Sequence, residues 1–249
     1  MISNRLITAT FQYFNSHRAN PNVVTPSIPI LYFGDEPAYR ESEIKIVTVG
    51  KNPSDNEFRL NKNQNYDIHY RFPSWNPLTQ NLQQSLNDYF KRNPLKNWFS
   101  SFEPILNGAS CSYYNGGPQK NIALHTDICS PLATNPTWSN LPTSDKNNLF
   151  ANGVKIWRDL IEELQPDCML VSVPKNLFSN VFRFKIGSGT KLINFPTKKN
   201  GIPRKPYNVE YFYYSLKSEK KIKIVFGPAA NVPFGTISKD QKFQIGQLC

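Results

Sequence analysis

The apolar residues of the chain recur at two spacings, one typical of helices and the other of strands. Where every third or fourth residue is apolar we predict helices: one capped by Ser3, one at Pro77–Phe90 and one at Asn147–Leu164. The segment NWFSSFEPIL, residues 97–106, is expected to be helical or rich in turns. Short apolar runs that end in Gly- or Pro-containing loops predict strands at Ile44–Val49, Asn121–Ile128, Cys168–Val173 and Lys221–Phe226.

Each predicted helix has one apolar side that is expected to face the core. Pro166 follows the last helix and ends it, because proline cannot continue the backbone hydrogen bonds. The residues on these sides are Leu6, Ile7, Phe11 and Phe14 in the first helix, Leu78, Leu82, Leu86 and Phe90 in the second, and Val154, Trp157, Ile161 and Leu164 in the third.

Strands that alternate with helices indicate an α/β fold with a mainly parallel sheet and helices on both of its faces. We expect residues 1–249 to form a single domain around a central four-stranded sheet of this kind. Residues 182–220, between the third and fourth strands, form a longer segment than such a fold needs. Its basic residues alternate with aromatic ones, which is typical of an arm that grips DNA. The alternation in YNVEYFYYSL equally fits an added β-hairpin whose aromatic residues pack inward.

Composition adds an expectation about partners. The 249 residues carry 29 Lys and Arg against 18 Asp and Glu, a formal charge of +11. A strongly basic chain is typical of proteins that meet polyanions such as DNA. A basic surface that serves only solubility is the alternative. In the 182–220 segment the candidate DNA-binding residues are Lys198, Lys199, Arg204 and Lys205.

Other classes of protein fit the sequence less well. No stretch approaches the roughly 20 apolar residues of a membrane span, and the first residues lack the charged-then-apolar order of a signal peptide. We therefore expect a cytoplasmic, monomeric protein that does not contact a membrane. The cysteines form no Cys-x-x-Cys pair, so we expect reduced thiols, no metal site and no cofactor. They are Cys111, Cys129, Cys168 and Cys249.

Ligands of parallel sheets bind at the carboxyl ends of the strands, which selects three loops. The first strand leads into Gly50-Lys51-Asn52-Pro53-Ser54, the second ends at His125-Thr126-Asp127, and the fourth leads into Gly227-Pro228-Ala229-Ala230-Asn231. Together they resemble the uracil-DNA glycosylase superfamily: a Gly-x-Asn-Pro-small loop as in its mismatch-specific and single-strand-selective branches, a strand with a polar end, and a late Pro-small-residue loop. The segments NIALHTDICSPLATNPTW and GVKIWRDLIEELQPDCMLVSV are similar to stretches of its thermostable branches.

The resemblance implies a DNA glycosylase, which flips a base out of the helix and hydrolyses its N-glycosidic bond. It assigns Asn52 to water positioning, with Asp127 as a second catalytic candidate, and it assigns base reading to His125 or Asp127. Phe72 best matches the family's stacking phenylalanine. The candidate base-binding residues are Gly50, Lys51, Tyr66, Phe72 and His125. The candidate DNA-binding residues outside the 182–220 segment are Ser54, Pro228, Ala229 and Asn231.

The chemistry of Asn52 suits this role. Its side-chain carbonyl can accept a hydrogen bond from water, and Pro53 restricts its backbone to extended conformations. An amide orients water but hardly deprotonates it, so binding and electrostatics must supply much of the catalysis. The alternative for this loop is an ordinary turn. His125 equally fits a buried structural histidine, and Phe72 equally fits packing against the helix that follows it.

The chain departs from the family pattern at Gly227, where most members have a histidine that stabilises the departing base. The mismatch-specific branch also lacks that histidine, so its absence does not exclude activity. It does argue against efficient uracil excision, and it leaves room for a bulkier modified pyrimidine. One such base is a hypermodified cytosine of phage DNA, removed in antiviral defence. Two alternatives are a non-catalytic nucleic-acid-binding module and a metal-dependent nucleotide-processing enzyme that uses Asp55, Glu57 or Asp127.

Overall fold

The computed structural model describes residues 1–61, 65–182, 189–198, 200–229, 232–235 and 237–249. Within these ranges the helices are α1 (Asn4–His17), α2 (Glu36–Glu41), α3 (Leu82–Asn87), α4 (Lys96–Phe99), α5 (Glu103–Gly108), α6 (Thr143–Leu164), α7 (Lys175–Phe182) and α8 (Lys239–Gln247). The strands are β1 (Ile46–Gly50), β2 (Cys111–Ser112), β3 (Asn121–Ile122), β4 (Leu124–Asp127), β5 (Cys168–Val171), β6 (Thr190–Thr197), β7 (Pro203–Ser215) and β8 (Lys221–Phe226).

The main sheet has the strand order β4-β1-β5-β8-β7-β6. Strand β5 is parallel to both β1 and β8, whereas β7 pairs antiparallel with β8 and with β6. The predicted α/β fold, with a mostly parallel central sheet flanked by helices, is confirmed. The predicted count of four strands is wrong, because the 182–220 segment adds β6 and β7 to the sheet.

The β6–β7 pair confirms the hairpin interpretation of that segment. Phe195, Tyr207 and Tyr214 are buried, so aromatic residues do pack inward. Arg204 is half-buried, and its guanidinium lies 6.0 Å from the centre of the Tyr207 ring.

Contacts between Cα atoms divide the chain into two compact units. Unit 1 comprises residues 1–37, 51–95 and 125–164, and unit 2 comprises residues 38–50, 96–124 and 165–249. Asn52, Tyr66, Phe72, His125 and Asp127 all belong to unit 1, so their surroundings can be described within one body.

In unit 1, Ser3 caps α1 as predicted, because its Oγ accepts the N–H of Leu6 at 3.2 Å. The buried side of α1 is formed by Leu6, Thr10 and Tyr13. The Tyr13 hydroxyl donates to Leu149 O of α6 at 2.7 Å, which turns this side of α1 toward α6. The predicted apolar side is therefore only partly right, since its other members are half-buried: Ile7, Phe11 and Phe14. On α6 the prediction is confirmed, with four buried residues: Val154, Trp157, Ile161 and Leu164.

The helix predicted at Pro77–Phe90 is much shorter in the structure. Helix α3 begins only at Leu82, and Leu78 is 92% exposed. Gln80 has a φ of 47°, in the left-handed region, where an α-helix cannot continue. The four-residue spacing of the leucines predicted one long helix, but the turn at Pro77–Gln80 prevents it.

In unit 2, strand β8 has the predicted bounds. Phe226 at its end stacks on Phe178 of α7, with ring centroids 4.0 Å apart. The strand predicted at Asn121–Ile128 is divided into β3, which pairs with β2, and β4. None of the described helices combines the length and the apolar character needed to cross a membrane.

Candidate functional site

The loop that follows β1, residues 51–54, is bonded to the segment that follows β4. The N–H of Cys129 donates to Lys51 O at 3.0 Å, and the N–H of Thr134 donates to Pro53 O at 3.2 Å. Pro53 has no N–H of its own, so at this point it can only accept hydrogen bonds. These hydrogen bonds therefore hold the two segments together within unit 1.

The Asn52 side chain is held by its amide nitrogen. Nδ2 donates to Pro53 O at 2.9 Å and to Leu132 O at 3.0 Å, and it lies 3.3 Å from Thr134 Oγ1. The opposite orientation of the amide would set its oxygen against two carbonyl oxygens, so these contacts define which end is which. Oδ1 is buried and accepts no hydrogen bond from the described residues, although the residue as a whole is half-buried. The loop thus holds a buried acceptor in a fixed orientation, and no described residue donates a hydrogen bond to it.

Asp127 lies close enough to Lys51 to affect the pKa of that lysine, and both are predicted site residues. Burial lowers the pKa of Lys51, and the carboxylate of Asp127 acts in the opposite direction. Burial also raises the pKa of Cys129 well above its usual value, and the Asp127 charge raises it further. Cys129 is therefore a buried thiol rather than a thiolate. This agrees with the reduced thiol expected from the sequence.

His125 is fully buried at 0% exposure. Its backbone exchanges two hydrogen bonds with Phe33, at 2.8 and 3.0 Å, and its ring centroid lies 5.6 Å from that of Phe33. Nε2 lies 3.8 Å from Oδ1 of Asp127, which is 8% exposed. These surroundings favour the alternative of a structural histidine, while Asp127 is nearer to solvent. Base reading by either residue stays a prediction.

Glu57, which the sequence suggested only as a metal ligand, is a buried carboxyl group in the same unit. Tyr89 donates its hydroxyl to Oε2 at 2.6 Å, and Arg71 Nε lies 3.9 Å away. Burial raises the pKa of Glu57 to about 7, and the Asp127 charge adds to that rise, against the opposing effects of Tyr89 and Arg71. A carboxyl group that titrates near neutrality is a common feature of functional sites. Structural ion-pair networks share that feature.

Phe72 does not present a free face in this structure. It is 0% exposed, with its ring centroid 5.5 Å from Phe58 and 5.3 Å from Tyr89. This placement favours the packing alternative for Phe72 that the sequence left open. A flipped base could stack on it only if this aromatic cluster opened.

Tyr66 lies instead in the wall of a cavity of about 340 Å³. Its hydroxyl accepts from Asn135 Nδ2 at 2.9 Å and donates to Asp55 Oδ2 at 3.4 Å. Asp55 also accepts a hydrogen bond from Arg59. Neither Asn135 nor this cavity was predicted from the sequence.

The loop after β8, which contains the predicted DNA-binding residues Pro228, Ala229 and Asn231, belongs to unit 2. Pro228 is half-buried and its carbonyl accepts from the Tyr207 hydroxyl at 2.8 Å, while Ala229 is 8% exposed. A Cβ atom at Gly227 would lie 2.4 Å from Cδ1 of the Phe234 ring, so this position has no room for the histidine of most family members. Asn231 lies outside the described residues.

Of the basic residues predicted to bind DNA, Arg204 and Lys205 lie on β7 and Lys198 directly follows β6. Lys198 and Lys205 are exposed, and Lys199 lies outside the described residues. On the β7–β8 pair the structure reveals a surface that the sequence did not single out, in which Tyr213 is opposite Lys223 and is 58% exposed. Because side chains alternate along a strand, Tyr211 and Lys221 lie on the same face. This aromatic–basic face comprises Tyr211, Tyr213, Lys221 and Lys223.

The remaining predicted site residues are Gly50 and Ser54. Gly50 is the buried last residue of β1, and Ser54 is half-buried and forms a bridge with Thr134. Among the described residues, no three His, Cys, Asp or Glu side chains are grouped as a metal site would require.

No protein-family model matches the chain, and no curated protein matches it.

Proposed function

We propose that the protein is a monofunctional DNA glycosylase of the uracil-DNA glycosylase type, which hydrolyses the N-glycosidic bond of a flipped, modified pyrimidine and leaves an abasic site. The observation that carries the proposal is the Asn52 amide. Three acceptors surround its nitrogen, so its buried Oδ1 is oriented before any substrate arrives. Such preorganisation is what a water-positioning group needs.

The reaction requires little covalent chemistry from the protein. The oxygen of water forms a bond to C1′ of the sugar, the bond from C1′ to the base breaks, and the base leaves with the electron pair and takes up a proton. Asn52 Oδ1 accepts a hydrogen bond from the attacking water and so directs it. Positive charge develops on the sugar during this step, and the carboxylate of Asp127, 8% exposed in the same unit, is suited to stabilise it.

The partner that the proposal requires is DNA. The formal charge of +11 supports binding to a polyanion, and the exposed lysines of the hairpin support contact with phosphates. The aromatic–basic face on β7 and β8 offers stacking beside positive charge. A monomeric state and a cytoplasmic location stay predictions.

The proposed substrate is inferred from the glycine at position 227, where most members of the superfamily have a histidine. Without a histidine there, the enzyme stabilises a departing uracil anion poorly, so we propose a bulkier modified pyrimidine as substrate. A hypermodified cytosine of phage DNA, excised in antiviral defence, is the specific form of this proposal.

The test is incubation with single- and double-stranded DNA that contains uracil, mismatches or phage-type modified cytosines. Base release is measured by mass spectrometry and abasic sites by strand cleavage. The native protein should release a base, and Asn52→Ala should lower the rate about 100-fold or more, as for other lost transition-state contacts. The matched control is Asn56→Ala, an exposed asparagine in the same loop, which should retain the native rate. Absence of release from every substrate, or equal rates in native protein and Asn52→Ala, would overturn the proposal.

A further inference from the structure

The cavity beside Tyr66 has the size of a small-molecule site. Its volume of about 340 Å³ lies within the roughly 300–1,000 Å³ of ligand pockets. Its wall is formed mainly by the connector that follows α1, from Arg18 to Thr25, together with Tyr66 and Asn135. All of these residues belong to unit 1.

The wall combines a cation, an aromatic ring and amides. Arg18 is exposed at the C-terminal cap of α1, and none of the described residues that line the cavity is acidic. Asn20 of this wall donates a hydrogen bond to the carboxylate of Asp145 at 2.9 Å. The exposed Arg18 can offer its positive charge to an anionic ligand, and a guanidinium binds phosphate with two parallel hydrogen bonds. Val23 and Val24 are buried and add apolar surface.

The Tyr66 ring is oriented by the hydrogen bonds of its hydroxyl with Asn135 and Asp55. A ring held in this way can stack on a planar aromatic ligand without first losing conformational freedom. Asn135 places its side-chain amide next to the ring, and amides recognise the polar edges of bases.

Two short routes, each made of one hydrogen bond and a stretch of backbone, join this wall to the Asn52 loop. Asn135 directly follows Thr134, whose Oγ1 lies 3.3 Å from the Asn52 nitrogen. Asp55, the acceptor for Tyr66, lies three residues after Asn52. The cavity and the Asn52 amide are thus parts of one connected network.

We propose that this cavity binds a nucleoside 5′-phosphate, free or as a unit of a nucleic-acid strand, with its base against Tyr66 and its phosphate at Arg18. The choice of a nucleotide rests on the proposed function. Three parts of the wall favour a nucleotide as the ligand: the cation for the phosphate, and the oriented ring and the amides for the base.

The test is calorimetric titration with deoxyuridine 5′-monophosphate, deoxyuridine and inorganic phosphate. The monophosphate should bind at least about tenfold more tightly than deoxyuridine, because the phosphate adds charge-assisted hydrogen bonds. Arg18→Ala should remove that difference. The matched control is Arg5→Ala, an exposed arginine near the other end of α1, which should leave it unchanged.

The ring is tested separately. Tyr66→Phe keeps the ring and should bind the monophosphate within about threefold of the native protein, whereas Tyr66→Leu should lose about tenfold or more. Circular dichroism of each variant verifies folding, and Arg18→Ala still decides the question if Tyr66→Leu does not fold.

An octamer of thymidylate distinguishes the two sources of the ligand. Binding of the octamer that falls in Arg18→Ala, with weak binding of the free monophosphate, supports a strand unit, and the reverse supports a free nucleotide. No saturable binding of either probe, or equal binding by native protein and Arg18→Ala, would overturn the inference. None of these titrations measures base release, so this inference and the proposed function can fail independently: Asn52→Ala should lose release but keep monophosphate binding.

Discussion

Glu57 places a carboxyl group inside unit 1, between a phenol and a guanidinium. Burial raises its pKa from the usual 4.5 to about 7. Between these two values the folded protein binds a proton that the unfolded chain does not bind. The stability that comes from this difference is complete below pH 4.5 and is lost as the pH rises through 7.

Replacing Glu57 by Gln should therefore change the pH dependence of stability. As pH rises from 4.5 to 7, the native protein should lose up to about 3 kcal/mol that Glu57→Gln does not lose. Urea unfolding at a series of pH values measures this difference. Glu43→Gln, an exposed site, controls for removal of one carboxylate. Parallel stability curves for native protein and Glu57→Gln would show that the buried carboxyl group does not titrate in this range.

Gly227 gives a second prediction about a single residue. Because a Cβ atom there would lie 2.4 Å from the ring of the fully buried Phe234, both Gly227→His and Gly227→Ala should destabilise the protein by about 2 kcal/mol or more. Thermal unfolding measures the change. A Gly227→Ala protein as stable as the native one would mean that Phe234 moves aside easily, and that the absent histidine has another cause.

Among single residues, Asn52 could be predicted to lie in a loop because the neighbouring residues Gly-Lys-Asn-Pro-Ser by themselves favour a turn after a strand. The sequence did not predict that Leu132 and Thr134 would hold the amide, since those partners are 80 and 82 residues away. Phe72 and Tyr66 show the same limit. Both are aromatic residues after the same loop, and only packing decided that Phe72 is enclosed and Tyr66 lines a cavity.

At the scale of elements, the β6–β7 hairpin forms part of the aromatic–basic face. It pairs with β8, and the pairing brings Tyr211 and Tyr213 onto one face with Lys221 and Lys223. Lys223 Nζ lies 5.4 Å from the centre of the Tyr211 ring. Tyr213 remains 58% exposed, so its ring is available for stacking.

We expect Tyr213→Ala to weaken binding of single-stranded DNA about fivefold or more, because one stacked base contributes about 1–3 kcal/mol. Fluorescence anisotropy with a labelled oligonucleotide measures the affinity. Phe243→Ala, another exposed aromatic residue of unit 2, is the control and should bind as the native protein does. If both variants bound equally, the aromatic–basic face would have no part in DNA binding.

Elements with an unbroken pattern, such as α6 and β8, were predicted well. For α3 the predicted start and length were wrong, because leucine spacing cannot reveal the left-handed Gln80 or the turn before it. For the 182–220 segment, alternation gave the hairpin as one of two interpretations. It did not give the place of the hairpin in the sheet, since strand pairing depends on distant partners.

At the scale of the whole molecule, the formal charge of +11 predicts DNA binding that weakens steeply with salt. Each lysine that contacts a phosphate should contribute about one to the slope of log K against log salt concentration. The exposed pair Lys198 and Lys205 is therefore expected to account for about two of that slope.

A double variant, Lys198→Ala with Lys205→Ala, should reduce the slope by this amount. The control, Lys120→Ala with Lys239→Ala, removes the same charge from other exposed sites of unit 2 and should change the slope less. Measurements at several salt concentrations give both slopes. Equal reductions would mean that total charge, rather than the hairpin, determines the binding.

The sequence by itself determined the α/β class, the bounds of β8, the buried side of α6 and the basic character of the chain, because these depend on local periodicity and on composition. Tertiary structure alone decided that the main sheet has six strands. It also decided the anchoring of the Asn52 amide, the raised pKa of Glu57 and the cavity beside Tyr66. Each of these arises where segments far apart in the chain meet. Burial and hydrogen bonding between such segments depend on distances that no local pattern encodes.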